Sequence, residues 1–266
     1  HSRRKRPDGS SFQHRAPSCR GPIAMTRVLA GRRSVLEALR GKTTIRRIYI
    51  EPQRADPEIR DAAEAKRIAL AHRDRAELDR LSEGVRHQGV VAVADDYPFC
   101  DIEDLTGAAE RPRAIVALDQ ITDPQNLGAI IRSAVTLGLD GLIIQKHRAA
   151  GITASVVRAS AGATEHASIA RVTNLQKTLL SLSKAGLEVI GLDAGGDMDV
   201  RELEPSSMGR VLVVGSEGKG LRRMVRERCD MVVQIHQEGP MDSLNASVAA
   251  AIAMYEITGK RVTHDR

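Results

Sequence analysis

The chain has 266 residues, 42% hydrophobic, 28% charged and 2% aromatic, with a formal net charge of +6. That composition fits one or two globular domains, and no apolar run approaches the ~18 residues of a membrane-spanning helix. Cys19, Cys100 and Cys229 are odd in number and far apart, and the histidines show no ligand spacing, so neither a disulfide framework nor a metal site is expected and a reducing cytoplasm fits best.

In chain order, residues 1–24 carry Arg3, Arg4, Lys5, Arg6, Arg15 and Arg20 against Asp8. Six minus one is +5, which leaves +1 for the rest of the chain. With Pro7, Pro17 and Pro22 the segment reads as a disordered basic tail. It begins with His, whereas Met25 opens a globular pattern, so it reads as an added or upstream-read segment; the alternative is an arm that grips RNA.

Residues 27–97 hold 15 Lys or Arg against 12 Asp or Glu, a balance of +3. Gly31 precedes a short helix with Val35, Leu36 and Leu39 on one face. Ile45 to Ile50 reads as a strand closed by Pro52, and Asp56-Pro57 opens a helix expected to reach about Ala71. Gln88 to Val93 reads as another strand, completing a small α/β module. Arg32, Arg33, Arg46, Arg47 and Arg86 are candidates for a phosphate-facing surface; scattered solvated charges explain them nearly as well. Residues 98–112 run from Pro98 to Pro112 without periodicity and are expected to be a linker.

From residue 113 strands and helices alternate. Arg113 to Leu118, Gly141 to Ile144, Leu187 to Ile190, Val211 to Val214 and Met231 to Ile235 are apolar strands. Leu127 to Leu137, Leu175 to Lys184 and Leu221 to Arg228 read as helices between them. Apolar strands joined by crossover helices make a parallel sheet covered on both faces. Such sheets bind ligands at the C-terminal ends of their strands.

That rule selects three loops: 119–128, 215–220 and 235–245. The last leads into a helix over 244–257, with Leu244, Val248, Ile252 and Tyr255 on one face and Ser243 as the expected N-cap. Its remaining positions are rich in alanine, which lets another backbone approach closely. The loop Gly215-Ser216-Glu217-Gly218-Lys219-Gly220 has the glycine spacing of a Walker A loop, but Leu221 and Arg222 follow where Ser or Thr would hold Mg²⁺. A P-loop is therefore excluded, and the dinucleotide fingerprint GxGxxG is absent. The glycines read as a turn where backbone approaches a ligand.

The three loops together resemble the SpoU/TrmH family of RNA ribose 2′-O-methyltransferases, in the SPOUT superfamily. Asp123 to Gly128 with Arg132-Ser133-Ala134 resembles the first family motif, Val214 to Gly220 the second and Ser243 to Ala249 the third. Gly31 to Leu39 with His87-Gln88-Gly89 is similar to the small ribosomal-protein-like RNA-binding domain of the branch that methylates a guanosine of 23S rRNA. The resemblance implies an α/β fold with a methyltransferase domain over 113–262 that carries a deep C-terminal trefoil knot, S-adenosylmethionine as cofactor, RNA as substrate and a homodimer with each site near the subunit interface. It implies a catalytic set of Asn126, Arg132, Glu217, Ser243 and Asn245, and cofactor contacts from Gly215, Ile235 and Leu244. A sulfonium-activated methyl needs neither an acid nor a metal to leave, so the protein's task is positioning. Arg132 then either serves as a base or stabilises developing alkoxide charge; its intrinsic pKa above about 12 disfavours the first. A tRNA or resistance-type rRNA substrate, or a non-catalytic RNA-binding protein on the same fold, are the alternatives. With only Phe12, Phe99, Tyr49, Tyr97 and Tyr255 as aromatics, base stacking on an aromatic sheet is not expected.

Overall fold

The structure is a computed structural model that describes residues 26–54, 56–107, 111–240 and 243–261. The basic tail expected over 1–24 lies outside these residues. β1 (Thr26–Ala30) leads into α1 (Arg32–Arg40), which buries Val35, Leu36 and Leu39 as their spacing predicts. Each such side chain contributes roughly 1.5–3 kcal/mol on burial. β2 (Ile45–Ile50) follows, then a 3-10 turn over Pro52–Arg54 and α2 (Pro57–Ala65). Asp56 caps α2 by accepting from the N–H groups of Glu58 and Ile59. The helix stops at Ala65 and does not reach Ala71. Arg67 takes a left-handed φ of 54°, which a helix cannot continue, and the chain leaves as β3 (Ala69–His72), parallel to β2. α3 (Arg75–Leu81) and β4 (Val90–Asp95) complete a four-stranded sheet of order β1-β4-β2-β3. β4 starts two residues later than expected because Gln88 and Gly89 both turn through positive φ, 54° and 84°.

The expected linker 98–112 is not structureless. It carries α4 (Ile102–Thr106), whose Leu105 is 1% exposed, and its Cys100 N–H donates to the Ile169 carbonyl at 3.0 Å.

The second module contains β5 (Ala114–Leu118), α5 (Pro124–Thr136), β6 (Gly141–Gln145), α6 (Ala154–Ala159) and β7 (Ile169–Val172). α7 (Leu175–Lys184), β8 (Glu188–Leu192), β9 (Met198–Asp199) and β10 (Arg210–Val214) follow. α8 (Arg223–Arg226), β11 (Met231–Gln234) and α9 (Ala246–Gly259) end it. The seven strands pair in parallel, in the order β7-β6-β5-β10-β8-β11-β9. Strand alternation splits the core by face. Val116, Leu118, Leu212 and Val214 pack with α5, α6 and α9, whereas Ile115, Ala117, Val211 and Val213 pack with α4, α7 and α8.

α9 turns its alanine-rich side to the sheet. Its buried residues are Ala246, Ala250, Ala253, Met254 and Ile257, and Val248, Ile252 and Tyr255 face outward, Tyr255 at 66% exposure. Small side chains let the helix sit close to the sheet, so the bulky stripe is left on the other side. The cap is Asn245 and not Ser243: Asn245 Oδ1 accepts from the Ser247 N–H at 2.9 Å.

The two modules share one core, which runs from Leu29 and Leu39 to Ile131 and Met254. At the seam Arg27 and Glu165, both nearly buried, pair at 3.0 Å, and Arg27 also donates to Thr43. The Tyr97 hydroxyl lies 2.9 Å from the carbonyl oxygens of Thr164 and Ala167 and shares its proton between them. Burial first, and then the Glu165 carboxylate, hold that phenol well above its usual pKa.

Breaking a buried pair by removing one partner strands the other charge, at a cost of about 3–5 kcal/mol. Arg27→Ala is expected to fall in that range by urea denaturation, and Arg27→Met with Glu165→Leu to recover most of the loss. A single variant as stable as the wild type would mean the seam contributes no stability.

Candidate active site

Three strand ends and two helix starts build the site. Asp123 caps α5 by accepting from the N–H groups of Gln125 and Asn126, with Pro124 at the first helical position. This fixes Asn126 at the first turn, 6% exposed. Asn126 Nδ2 donates to Glu217 Oε2 at 3.1 Å, and Asn245 Nδ2 donates to Asn126 Oδ1 at 2.9 Å. A carboxylate only accepts, so Asn126 must present its amide nitrogen to Glu217 and its oxygen to Asn245. Asn245 thus caps α9 with its oxygen and holds Asn126 with its nitrogen. Its oxygen also accepts from the Ser247 hydroxyl at 2.6 Å.

Beside this chain lies a cleft of about 520 Å³ at the C-terminal ends of β8, β10 and β11. Gly215, Glu217, Ile235, Ser243 and Leu244, all singled out from the sequence, line it. Leu192, Val214, Ala246 and Ala249 add apolar wall, and Asp193 and Gln237 add polar groups.

Two glycines shape the loop over 215–220. A Cβ on Gly215 would sit 2.2 Å from the Gly220 carbonyl carbon, and Gly220 takes a φ of +61°. Two aspartates hold the loop's exit. Asp193 Oδ2 accepts from the Leu221 N–H at 2.9 Å, while Asp119, 1% exposed, accepts from the Arg222 N–H at 3.0 Å and from its Nε at 2.8 Å. Asp193 was not singled out from the sequence. Its signal is its place, the first residue after the apolar strand β8.

Arg132 stands apart from the other predicted residues. It is exposed on α5 and lines a shallow apolar groove with Ser133, Thr136, Ala251, Ile252 and Tyr255, not the cleft. Six residues from Asn126 along a helix is well over one turn and a half, so the two side chains diverge. Burial pushes the Cys229 thiol up to about 12, so no thiolate nucleophile is available there near neutral pH. Among the described residues no group of three His, Cys, Asp or Glu is placed to hold a metal.

Two family models match the chain. One, described as the SpoU rRNA Methylase family, covers residues 113–255, and one described as RNA 2′-O ribose methyltransferase substrate binding covers residues 28–100. An uncharacterised tRNA/rRNA methyltransferase of Mycolicibacterium smegmatis is 42% identical over 244 residues, 89% of this chain and 77% of the relative. The SpoU methyltransferase AviRb of Streptomyces viridochromogenes, solved in complex with AdoMet, has a TM-score of 0.74 at 26% identity, covering 88% of this chain and 90% of that one. An AdoMet-bound rRNA methyltransferase of Sinorhizobium meliloti has a TM-score of 0.73 at 25% identity, covering 87% and 86%.

The hydrogen-bond chain makes a pH-dependent prediction. Asn126→Asp would set a carboxyl against Glu217 and raise its pKa in the folded protein above the unfolded value of about 3.9. The folded state then binds more protons, so stability falls as pH rises. The variant is expected to match the wild type below about pH 4 and to lose stability progressively above it. Urea midpoints at acidic and neutral pH check this; a constant difference would mean the two side chains do not meet.

Proposed function

The chain belongs to the SpoU rRNA methylase family, and from that premise we propose that it methylates a ribose 2′-OH in rRNA, with a guanosine of 23S rRNA as target. The observation that carries this is the Glu217–Asn126–Asn245 chain at the mouth of the cleft beside the glycine loop. The second family model, over the first module, supports a structured RNA substrate. We assign RNA affinity to residues 27–97, connection to 98–112 and methyl transfer to 113–262, in the cytoplasm.

The cleft fits S-adenosylmethionine. Its volume of about 520 Å³ lies within the ~300–1,000 Å³ usual for such ligands. Leu192, Val214, Ile235 and Leu244 offer an apolar wall for adenine, the backbone of the glycine loop offers donors and acceptors, and Glu217 faces cationic or hydroxyl groups. The bound cofactor supplies an activated methyl. Asn126 holds Glu217 at the cleft mouth, and Asn245 holds Asn126. Ser243 lines the same cleft and orients substrate there.

Arg132 is the activator of the 2′-oxygen, and a homodimer brings it into play. Val248, Ile252 and Tyr255 form an exposed apolar stripe on α9 next to Arg132 on α5, and such a stripe calls for a partner. In the proposed dimer a second copy docked there would bring Arg132 of one copy toward the site of the other. Its guanidinium then grips the adjacent phosphate and stabilises alkoxide charge. A trefoil knot in the second module is proposed from the family the chain belongs to. Stretching the molecule from both ends should leave a contour shorter than the full chain; a full-length contour would refute the knot.

Mapping 2′-O-methylation in cells lacking the protein should show loss of one guanosine mark in 23S rRNA. Loss confined to tRNA would replace the substrate, and the tRNA/rRNA description of the mycobacterial relative makes tRNA the arm to include. Arg132→Ala is expected to lower single-turnover transfer about 10²–10³-fold while leaving cofactor affinity near normal. A wild-type rate would make Arg132 a surface residue of α5, and a collapse of cofactor affinity would place it in the pocket. Ile252→Asp with Tyr255→Asp should yield monomers by light scattering that bind cofactor and do not methylate. Active monomers would remove the dimer from the mechanism.

A further inference from the structure

We propose that a charged cleft in the first module holds one unpaired nucleotide of the RNA substrate, an inference that rests on the reading of the chain as an RNA methyltransferase. The cleft has a volume of about 700 Å³ and lies between the turn over 86–90, the start of α2 and α3. Arg54, Arg75 and Arg86 line it, and among the described residues none of their guanidinium groups has a hydrogen-bond or ion-pair partner. Arg32, on the same rim, is already committed to Asp56 and Glu58. Of the surface expected from the sequence, Arg32 and Arg86 reach this cleft, and Arg33, Arg46 and Arg47 do not line it. Three unpaired cations around one concavity repel one another and favour an anion within it.

A bare phosphate does not account for the walls, which also carry Glu51 and Asp79. Asp79 is held in place: its Oδ1 lies 2.9 Å from Nε2 of the buried His87, whose Nδ1 accepts from the Gly89 N–H at 3.0 Å. With Nδ1 accepting, the imidazole proton sits on Nε2 and points to Asp79. Gly89 keeps the other wall open. A Cβ there would fall 2.9 Å from Arg54 Cγ and 3.1 Å from Glu51 Oε2, at a φ of +84°. A ligand suited to these walls carries both an anion and N–H donors, and a nucleotide has a phosphate on one side and base-edge donors on the other. Guanidinium planes also stack on bases. A duplex fits less well, because its bases are paired and its surface is convex. The site therefore selects RNA with an unpaired nucleotide.

The test uses the full chain, a pool of RNA hairpins with randomised loops and blunt duplexes of matched length. The wild type should bind the hairpins at least tenfold more tightly than the duplexes. Arg54→Ala, Arg75→Ala and Arg86→Ala together should remove that preference and lower the salt slope by about 1–2, at ~0.7 for each single-strand phosphate contact. Calorimetric S-adenosylmethionine affinity should stay unchanged, which shows that the variant is folded. The corresponding three Arg→Lys changes should keep the slope and lose the preference, because lysine retains charge without the stacking plane. Glu51→Gln should change which loop nucleotide is enriched and leave the slope alone. Hairpin and duplex affinities unchanged in the triple alanine variant would overturn the cleft and leave the methyltransferase reading standing. A wild-type chain that binds cofactor but no RNA of either kind would overturn that reading and the cleft with it.

Discussion

The close approach of Gly215 to Gly220 is the constraint on which the arrangement of the candidate site depends. With 2.2 Å between a would-be Cβ and the Gly220 carbonyl carbon, the loop after β10 must fold back on itself. That reversal delivers Leu221 and Arg222 to Asp193 and Asp119, which follow β8 and β5 directly. The ends of β5, β8 and β10 are therefore tied together, and the cleft lies beside them at the ends of β8, β10 and β11. Glu217, carried on the outer limb of the same loop, meets Asn126 because the loop's width is fixed. A side chain at position 215 would part the strand ends and remove the point from which the polar chain is hung.

Much of this architecture is legible in the sequence because local and tertiary preferences agree there. β5 and β10 are apolar on both faces, as strands between two helical layers must be, and α7 begins and ends where its period and flanking residues place it. The rule for strand ends selected the loops 215–220 and 235–245, and both line the cleft. The illegible parts are those where tertiary packing overrules a local pattern. The bulky stripe of α9 has the spacing of a core face, yet alanine wins the core because the helix lies close to β10 and β5. β3 is short and half-buried, with a helical-looking run before it, and only a left-handed Arg67 separates the two. No local signal marks Arg27 and Glu165, 138 residues apart, as partners.

That seam changes how the two modules work together. A first module on a flexible tether would deliver RNA over a range of distances. Here the expected linker packs through Leu105 and Cys100, and Tyr97 and Arg27 tie the sheet of the first module to the turn at 163–167. The charged cleft and the cleft beside the glycine loop are thus held in one fixed relation. An RNA engaged by the first must present its reacting ribose at the geometry the second allows, and selectivity then comes from RNA shape as well as from contacts.

The same two helices serve the site and the exposed groove. The first turns of α5 and α9 carry Asn126 and Asn245, which bond to each other; their middles carry Arg132, Ile252 and Tyr255, which open outward. A helix transmits displacement along its axis with little loss, because its backbone hydrogen bonds resist stretching and shear. Whatever docks on the groove therefore acts on the same rigid pair that positions Glu217. A homodimer on this face would do two things through one contact: supply Arg132 and steady the asparagine pair. The outward stripe of α9 goes with the close packing that fixes Asn245, since a helix with its bulk turned inward would stand further from the sheet.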